Sequence, residues 1–313
     1  MSAAGSAASP PPRCALIRGA GVLFAGFARL PQRATLALGG ALSLLLRLPL
    51  RRRWRIARIN LELCFPNESE RARAQRLRAH QRALPTALLE LLRAWFAPSR
   101  TLVGLADIEG LEHLHGAAAR GQGVLLLTGH LMHTELATRF VAEALGAPIG
   151  GVVRRYDRHP CLEALLDGAR RARLGPTFGK FDTRGMVRQL RGGGRLVYSA
   201  DQDFRMQQVF VPFFGVPAAT LASAPQLVRA GRATVRFLAM ARGVDGRYRV
   251  RITDPGLDAL LDDEPGFAAR YMHVLEEAVR AAPDQYLWVH RRFKTRPSGV
   301  ANVYADSTDQ GTR

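Results

Sequence analysis

The feature that most constrains the fold is a set of short apolar runs of strand length that alternate with stretches of helical periodicity. The first run covers residues 123–128 and leads through a Gly-His turn into a helical pattern. Further apolar runs cover residues 148–153, 195–199 and 234–241, and the helical stretches that separate them cover residues 160–173, 182–191 and 222–230. This alternation predicts an α/β sandwich built on one sheet.

The remaining segments fit the same architecture. Residues 54–97 repeat apolar side chains at three- and four-residue steps, and Asn67 followed by Glu70 is a capping signal for a helix that begins there. Residues 247–252 alternate as a strand does, and residues 265–281 have helical periodicity. We find neither an internal repeat nor an interdomain linker, so we expect one main domain.

The sharpest local feature is the sequence GHLMHTE at residues 129–135, which lies where a buried strand is predicted to end. On one helix His130 and Glu135 would point ~140° apart, but with His130 in the loop and Glu135 in the first helical turn they can meet. A carboxylate that accepts from one imidazole nitrogen leaves the other free to take a proton from an attacking hydroxyl. The motif therefore predicts His130 as a general base and Glu135 as its orienting partner.

Two other interpretations of this motif stay open at this stage. His130 could cap a helix or pack in the core. His130, His133 and Glu135 could also be metal ligands, but a zinc site usually has three well-spaced protein ligands, and the motif H-E-x-x-H is absent. We therefore predict neither a metal nor a cofactor.

The N-terminal region is apolar but interrupted by arginines. Its longest uncharged stretch, residues 34–46, is shorter than the ~20 residues that a spanning helix needs, and an arginine at mid-bilayer costs ~2.5 to 3.5 kcal/mol. We predict a helical segment that lies at the membrane interface or inserts shallowly. The basic run that follows, residues 47–58, should keep the main domain cytoplasmic, since each basic residue near an anionic leaflet contributes ~1 kcal/mol.

The alternative is that residues 14–50 form one or two buried helices of a soluble fold, with the arginines as an exposed stripe. A secretory signal is a weaker interpretation, because no basic region precedes the apolar part and no cleavage site closes it.

The charge balance predicts an anionic partner. Against 26 Asp and Glu residues stand 45 Lys and Arg residues, which gives a formal net charge of +19. Lipid headgroups, phosphorylated substrates, an acidic carrier protein and nucleic acid would all satisfy this charge, and a genome rich in Arg codons would also raise it. A non-enzymatic membrane- or nucleic-acid-binding protein is the rival class, but interleaved aromatic residues and a recognisable nucleic-acid-binding module are lacking.

Several further residues are candidates for binding or structure. Arginines cluster at residues 170–173 and again at residues 291–296, where they could bind phosphate or simply be solvated. Asp201 and Asp203 follow a predicted strand, where a turn role is the first expectation. The three cysteines, Cys14, Cys64 and Cys161, are far apart in the sequence. We therefore predict neither a disulfide framework nor a cysteine metal site, and we expect a reducing compartment.

Taken in order, four segments resemble the lipid A late acyltransferases of the lauroyl and palmitoleoyl type, over most of the chain. The segments are residues 59–66 (INLELCFP), residues 128–136 (TGHLMHTEL), residues 201–203 (DQD) with 210–214 (FVPFF), and residues 285–297 (QYLWVHRRFKTRP). The last is long and unusual in composition. The N-terminal region departs from the family, in which a plainer membrane span is usual, and His133 and Thr134 fill variable positions.

The resemblance implies an O-acyltransferase that moves a fatty acyl group from acyl carrier protein to a hydroxyl of an anionic lipid A precursor at the inner membrane. It implies His130 as the base, Glu135 as its partner, and an arginine of residues 170–173 at a functional position. The substrate-binding residues that we predict are Arg170, Arg173, Asp201, Asp203, Arg291 and Arg292. An acyltransferase for another acceptor, such as an ornithine or glycerol lipid, is the nearest alternative.

The resulting domain plan has four parts. Residues 1–13 are predicted to be a disordered tail, residues 14–58 a membrane-associating helical segment, and residues 306–313 a frayed tail. Residues 59–305 should form a single α/β domain with a central mixed sheet flanked by helices. Acyl chain length is not predicted, since one methylene in a hydrophobic pocket is worth only ~1 to 3 kcal/mol.

Overall fold

A computed structural model describes residues 12–202 and 207–305. The predicted tails, 1–13 and 306–313, lie outside these residues except for Pro12 and Arg13, and Asp203 lies outside them as well.

A seven-stranded mixed sheet forms the centre of the molecule, with the strand order β1-β9-β8-β2-β5-β3-β4. These strands are β1 (Ala106–Glu109), β2 (Val124–Thr128), β3 (Ile149–Val153), β4 (Thr177–Gly179), β5 (Arg195–Ser199), β8 (Thr234–Arg242) and β9 (Tyr248–Thr253). Only the β8–β9 pair is antiparallel. A separate antiparallel hairpin is formed by β6 (Gln208–Phe213) and β7 (Val216–Leu221). The prediction of a mixed central sheet is confirmed.

Helices cover both faces of this sheet because its central strands β2 and β5 are buried on both sides. The helices are α1 (Pro12–Ala28), α2 (Gln32–Leu45), α3 (Arg51–Cys64), α4 (Glu70–Phe96), α5 (Leu111–Ala119), α6 (Thr134–Leu145), α7 (Pro160–Arg173), α8 (Thr183–Arg191), α9 (Ala224–Gly231) and α10 (Glu264–Ala281). One hydrophobic cluster joins α3, α8, α9 and α10 to one face of the sheet. A second cluster joins α1, α4, α5, α6 and α7 to the other face.

The sequence predicted most of these elements and missed the least apolar ones. β1, β4 and the β6–β7 hairpin were not predicted, because β1 and β4 are short and only partly buried and the hairpin carries prolines at positions 212 and 217. The helix predicted at Asn67 begins at Glu70, and its cap is Ser69, whose hydroxyl accepts from the Ala72 amide.

Helix α2 buries small residues, while several large apolar side chains of α1, α2 and the turn that follows are exposed. In α2, Thr35, Gly39 and Ser43 are buried, and a Cβ added at Gly39 would lie 2.1 Å from the Thr86 hydroxyl of α4, so this close approach requires glycine. The exposed apolar side chains of this region are Leu16, Val22, Leu23, Phe27, Leu44, Leu45 and Leu48. This pattern is the reverse of the one that a helix of a soluble core has.

Among the described residues, no single helix is both long enough and apolar enough to cross a bilayer. The pair Cys14–Ala28 and Gln32–Leu45, bent by 117° between its halves, meets the length and composition requirement only when both are counted together.

A disulfide bond joins Cys14 of α1 to Cys161 of α7, with 5.4 Å between the Cα atoms. The prediction of no disulfide is corrected here: the two cysteines are 147 residues apart in sequence, and only the packing of α1 along α7 brings them together. The expectation of a reducing compartment rested on unpaired cysteines and loses that basis. Cys64 is a free, buried thiol.

Candidate active site

Two parallel strands bring His130 and Asp201 to the same edge of the sheet. Thr128 of β2 lies opposite Ser199 of β5, and each candidate residue follows its strand by two positions. Since the carboxyl ends of parallel strands meet at one edge, residues at equal distances beyond the two strands become neighbours.

The backbone around His130 is fixed by a tight packing contact and a turn. A Cβ added at Gly129 would lie 2.3 Å from the buried side chain of Leu275 in α10, so any larger residue there would force Leu275 to move. The Thr134 hydroxyl donates to the carbonyl oxygens of Gly129 and Leu131, at 3.1 and 2.9 Å, and so holds the loop against the start of α6.

The Asp201 carboxylate holds His130 at two points. Its Oδ1 lies 2.6 Å from His130 Nδ1, and its Oδ2 accepts from the His130 backbone amide at 3.0 Å. The Tyr286 hydroxyl also donates to Oδ2, at 2.9 Å. The Asp201 side chain is 1% exposed and that of His130 is 31% exposed. A buried carboxylate therefore orients an imidazole that solvent can reach.

The electrostatics keep this carboxylate ionised. Burial opposes ionisation of Asp201, but the charge and hydrogen bonds of His130 and the charge of Arg292 outweigh burial and hold the Asp201 pKa well below its usual range. An ionised acceptor on Nδ1 assigns the proton of the neutral imidazole to Nδ1, which leaves a lone pair on Nε2. No described residue hydrogen-bonds to His130 Nε2, so this nitrogen is available as a base.

The segment near the C-terminus completes the support of this loop. Met132 N donates to Gln285 O at 2.9 Å, and Leu287 N donates to His130 O at 3.1 Å. The chain from Gln285 to Leu287 therefore pairs with the His130 loop and places the Tyr286 hydroxyl on Asp201. The sequence analysis did not identify Tyr286 as a site residue; its position in the unusual segment 285–297 was the only signal.

A second segment on which the resemblance rests, residues 59–66, also contacts the C-terminal segment through Asn60. The Asn60 side-chain amide donates to the carbonyl oxygens of Trp288 and His290, at 2.7 and 2.8 Å, and Asn60 is fully buried. Two of the segments on which the family resemblance rests are thus in direct contact.

Glu135 has different partners from those predicted. Its carboxylate accepts from Arg170 Nε at 3.3 Å and from the indole N–H of Trp95, and the Arg170 guanidinium lies 4.3 Å from the centre of the Trp95 ring. The prediction that Glu135 orients His130 is corrected: the carboxylate on His130 Nδ1 is that of Asp201. The first turn of α6 directs Glu135 towards α4 and α7, which pack with α6 on one face of the sheet.

Of the arginines at residues 170–173, the one that contacts Glu135 is Arg170. Arg170 is buried and forms the ion pair with Glu135, whereas Arg173 is exposed at the last turn of α7. Trp95 was not predicted, because a tryptophan at helical spacing in α4 is indistinguishable from an ordinary core residue in sequence.

The second basic cluster is divided between surface and core. Arg291 is exposed, with its guanidinium 5.9 Å from the Tyr304 ring. Arg292 is only 1% exposed, and its guanidinium donates to Ala219 O at 2.5 Å and to the Thr220 hydroxyl at 2.8 Å. The prediction that Arg292 binds substrate does not fit this burial; its contacts hold β7, and its charge acts on Asp201 from within the core.

His133 lies in a sealed polar cluster away from His130. Its Nδ1 lies 2.9 Å from Glu90 Oε2, and its Nε2 lies 2.9 Å from Gln285 Oε1. The other oxygen of Glu90 accepts from Arg242 and from the Tyr248 hydroxyl. The side chains of His133 and His130 therefore belong to different clusters, which does not fit the reading of the motif as a shared metal site.

Comparison with known proteins finds relatives over most of the chain. Residues 12–295 match the family model for bacterial lipid A biosynthesis acyltransferases. The chain is 35% identical over 289 residues to a lipid A biosynthesis palmitoleoyltransferase of Escherichia coli (strain K12), an alignment that covers 91% of this chain and 93% of the relative. It is 34% identical, with the same coverage, to a lipid A biosynthesis lauroyltransferase of that strain. A lipid A biosynthesis acyltransferase of Haemophilus influenzae is 35% identical over 79% of each chain.

Proposed function

Because the chain belongs to the bacterial lipid A biosynthesis acyltransferase family, we propose that it transfers a fatty acyl group from acyl carrier protein to a hydroxyl of a lipid A precursor. The observation that carries this proposal is the open Nε2 of His130, whose ring is oriented through Nδ1 by the buried Asp201 carboxylate. An imidazole held in this way is suited to activate an alcohol.

In the proposed reaction, His130 Nε2 takes the proton of the acceptor hydroxyl while its oxygen attacks the carbonyl carbon of the acyl thioester. The tetrahedral intermediate then collapses, the carbon–sulfur bond breaks, and the imidazolium returns its proton to the departing thiolate. An ester and a free thiol result. Asp201 stays ionised throughout and stabilises the imidazolium that forms.

Glu135 and Arg170 form the second charged pair of this site. The Glu135 side chain is 27% exposed and that of Arg170 is 10% exposed, so the pair is accessible mainly through the carboxylate. We assign these residues a positioning role: the ion pair, stacked on Trp95, ties α4, α6 and α7 together beside the His130 loop. The exposed arginines Arg173 and Arg291 remain the candidates for contacts to the phosphates of the lipid.

The membrane location is proposed on the exposed apolar side chains of α1 and α2 and on the basic run that follows them. An apolar patch of this kind on a protein surface is characteristic of a membrane or protein contact. At the start of α3, close to the apolar end of α2, Arg51, Arg52 and Arg53 are exposed. Basic residues that follow an apolar membrane contact are attracted to an anionic leaflet. The catalytic domain would then lie on the cytoplasmic face of the inner membrane.

Mass spectrometry of lipid A from a strain that lacks this protein tests the proposal. We expect one secondary acyl chain to be missing and to return with the wild-type protein but not with His130→Ala. His115→Ala, at an exposed histidine of α5, is the matched control and should restore the chain fully. Unchanged lipid A together with a loss of acylated ornithine or glycerol lipid would instead assign another acceptor.

A further inference from the structure

Helix α8 presents a row of arginines along its solvent side. Arg184, Arg188 and Arg191 are exposed at a spacing of four and three residues, which places them on one face of the helix. The opposite face carries Met186 and Leu190, which are 3% and 0% exposed and pack in the core. Because the opposite face of α8 is packed in the core, the three arginines must point towards solvent.

Two of these arginines are not neutralised by the protein, unlike Arg155 and Arg171 of the neighbouring elements. Arg155 and Arg171 form ion pairs with Asp167 at 2.7 and 2.6 Å. By contrast, Arg184 and Arg188 have no ion pair and no hydrogen bond with any described residue. Two unpaired guanidinium groups one turn apart give a strong local positive potential.

An exposed aromatic residue lies at the start of this row. Phe181, in the turn that leads into α8, is 70% exposed, and the Lys180 ammonium lies 4.7 Å from the centre of its ring. Aromatic residues and arginine are the types most enriched at the energetic centres of protein interfaces. We call Phe181, Arg184, Arg188 and Arg191 the α8 face.

The α8 face begins at the same edge of the sheet as the candidate active site. β4 and β5 run parallel with β3 between them, so the carboxyl end of β4, from which the chain enters α8, lies at the edge that holds Asp201. At the usual strand spacing this places β4 roughly 10 Å from β5 across the sheet.

The α8 face and the apolar N-terminal helices lie on opposite faces of the sheet. Met186 and Leu190 of α8 belong to the hydrophobic cluster on one face, whereas Ala28 of α1 belongs to the cluster on the other. The exposed apolar residues of α1, which mark the proposed membrane side, are therefore across the sheet from the arginines. The start of α3, with Arg51 to Arg53, packs on the same face of the sheet as α8, so the separation applies to the apolar contact of α1 alone. Because the α8 face offers mainly charge, we assign it to a soluble anionic partner, and vesicle binding is the competing outcome of the test.

We propose that the α8 face docks an acidic, helical surface of the protein that carries the acyl thioester. The inference rests on the proposed function, because that function requires such a donor to approach the edge of the sheet at His130. The arginines supply charge complementarity and orientation, and Phe181 supplies the apolar contact at the end nearest the site.

The test uses the full-length protein with Arg184→Glu and Arg188→Glu combined, and Arg71→Glu with Arg78→Glu as the control pair. The control arginines are exposed on α4, seven residues apart, and also lack described partners. We expect the α8 pair to weaken binding of acyl carrier protein, measured by fluorescence anisotropy, at least about tenfold and to raise its KM by a similar factor, with kcat little changed. The control pair should change both by less than about twofold.

Phe181→Ala should weaken carrier binding as well, and its effect should persist at high salt, whereas that of the charge reversal should shrink. Equal binding by the wild type and both α8 variants would overturn the docking proposal. So would a loss of binding to vesicles containing anionic lipid with carrier binding intact, since the α8 face would then be a membrane surface. A wild-type protein that binds the carrier but transfers no acyl group would instead contradict the proposed function.

Discussion

Two histidines on one loop, His130 and His133, each lie against a carboxylate, and the two pairs differ in what surrounds them. His130 Nδ1 is 2.6 Å from Asp201 Oδ1, and the imidazole is 31% exposed. His133 Nδ1 is 2.9 Å from Glu90 Oε2, and the imidazole is 0% exposed. We call the first the open pair and the second the sealed pair.

The difference lies in the second nitrogen of each ring. His133 Nε2 is occupied by Gln285 Oε1 at 2.9 Å, whereas His130 Nε2 has no partner among the described residues. A carboxylate near Nδ1 is therefore common to the histidine that we propose as the base and to one that is sealed in the interior. The property that distinguishes a base is an accessible lone pair on the other nitrogen.

The two carboxylates are alike in being buried and ionised. Burial opposes ionisation of Glu90, but His133, Arg242 and Tyr248 together outweigh it and lower the Glu90 pKa to about 2. We propose that the carboxylate of the open pair serves the chemistry and that the carboxylate of the sealed pair serves stability. Each of the following predictions tests one side of this division.

The largest effect is expected for Asp201→Asn in the open pair. Without a negatively charged acceptor for the Nδ1 proton, the imidazole of His130 is no longer held in one tautomer. In an acyl-transfer assay kcat should therefore fall about a thousandfold, which corresponds to an increase of about 4 kcal/mol in the activation free energy. The fold should persist, because the amide oxygen can still accept from Tyr286. Asp157→Asn, at an exposed position without described contacts, is the control. A kcat within threefold of the wild type would contradict the assignment.

Next in size is the loss of stability that Glu90→Ala should cause in the sealed pair. Removing one partner of a buried charged cluster leaves His133 and Arg242 uncompensated, and we expect the free energy of unfolding to fall by about 3 kcal/mol. Glu62→Ala is the control: Glu62 pairs with Arg58 at 3.9 Å on the surface, which is worth less than about 1 kcal/mol. Equal losses in denaturant melts would show that the sealed pair has no special structural role.

Glu135→Gln tests whether acyl transfer by His130 depends on Glu135, the residue that the sequence analysis predicted as its orienting partner. The substitution leaves Arg170 without its charge partner beside the site, so we expect transfer to fall about a hundredfold, less than for Asp201→Asn. Glu143→Gln is the control, because it also removes an ion pair of α6, with Arg139, but away from His130. A larger effect of Glu135→Gln than of Asp201→Asn would reverse the ranking of the two carboxylates.

The smallest expected effect is the pH dependence of the sealed pair. Because the Glu90 pKa is about 2 in the folded protein and ordinarily 4.5, its contribution to stability is complete above the higher value and is lost as pH falls towards the lower one. The difference in unfolding free energy between wild type and Glu90→Gln should shrink by about 2 kcal/mol from pH 7 to pH 3. A difference that stays constant over this range would contradict the assigned pKa.

The sequence predicts those helices and strands that are determined by the local pattern of apolar and polar residues. Residues 195–199 form the strand predicted for them, and α7 covers the predicted residues 160–173. His130 and Asp201 were both placed at strand ends, which is correct. Their pairing could not be read, because it depends on β2 and β5 being parallel neighbours in register, and sequence periodicity does not specify strand order.

The errors arise where a partner comes from a distant segment. Glu135 is near His130 in sequence, which favoured the wrong pairing, while its observed partners Trp95 and Arg170 lie on other helices. Cys14 and Cys161 are likewise joined only by the packing of α1 on α7. Short-range spacing therefore placed His130 at the end of β2 but did not identify the carboxylate that contacts its ring, which is that of Asp201.

The most direct test of the central claim is to determine which nitrogen of the His130 ring carries the proton. This is read from nitrogen-15 chemical shifts in histidine-labelled protein at a pH where the ring is neutral. In the wild type and in Glu135→Gln we predict that Nδ1 carries the proton and Nε2 is unprotonated. In Asp201→Asn we predict a mixture of the two tautomers. A tautomer that is unchanged in Asp201→Asn and lost in Glu135→Gln would contradict the claim that Asp201 orients the catalytic histidine.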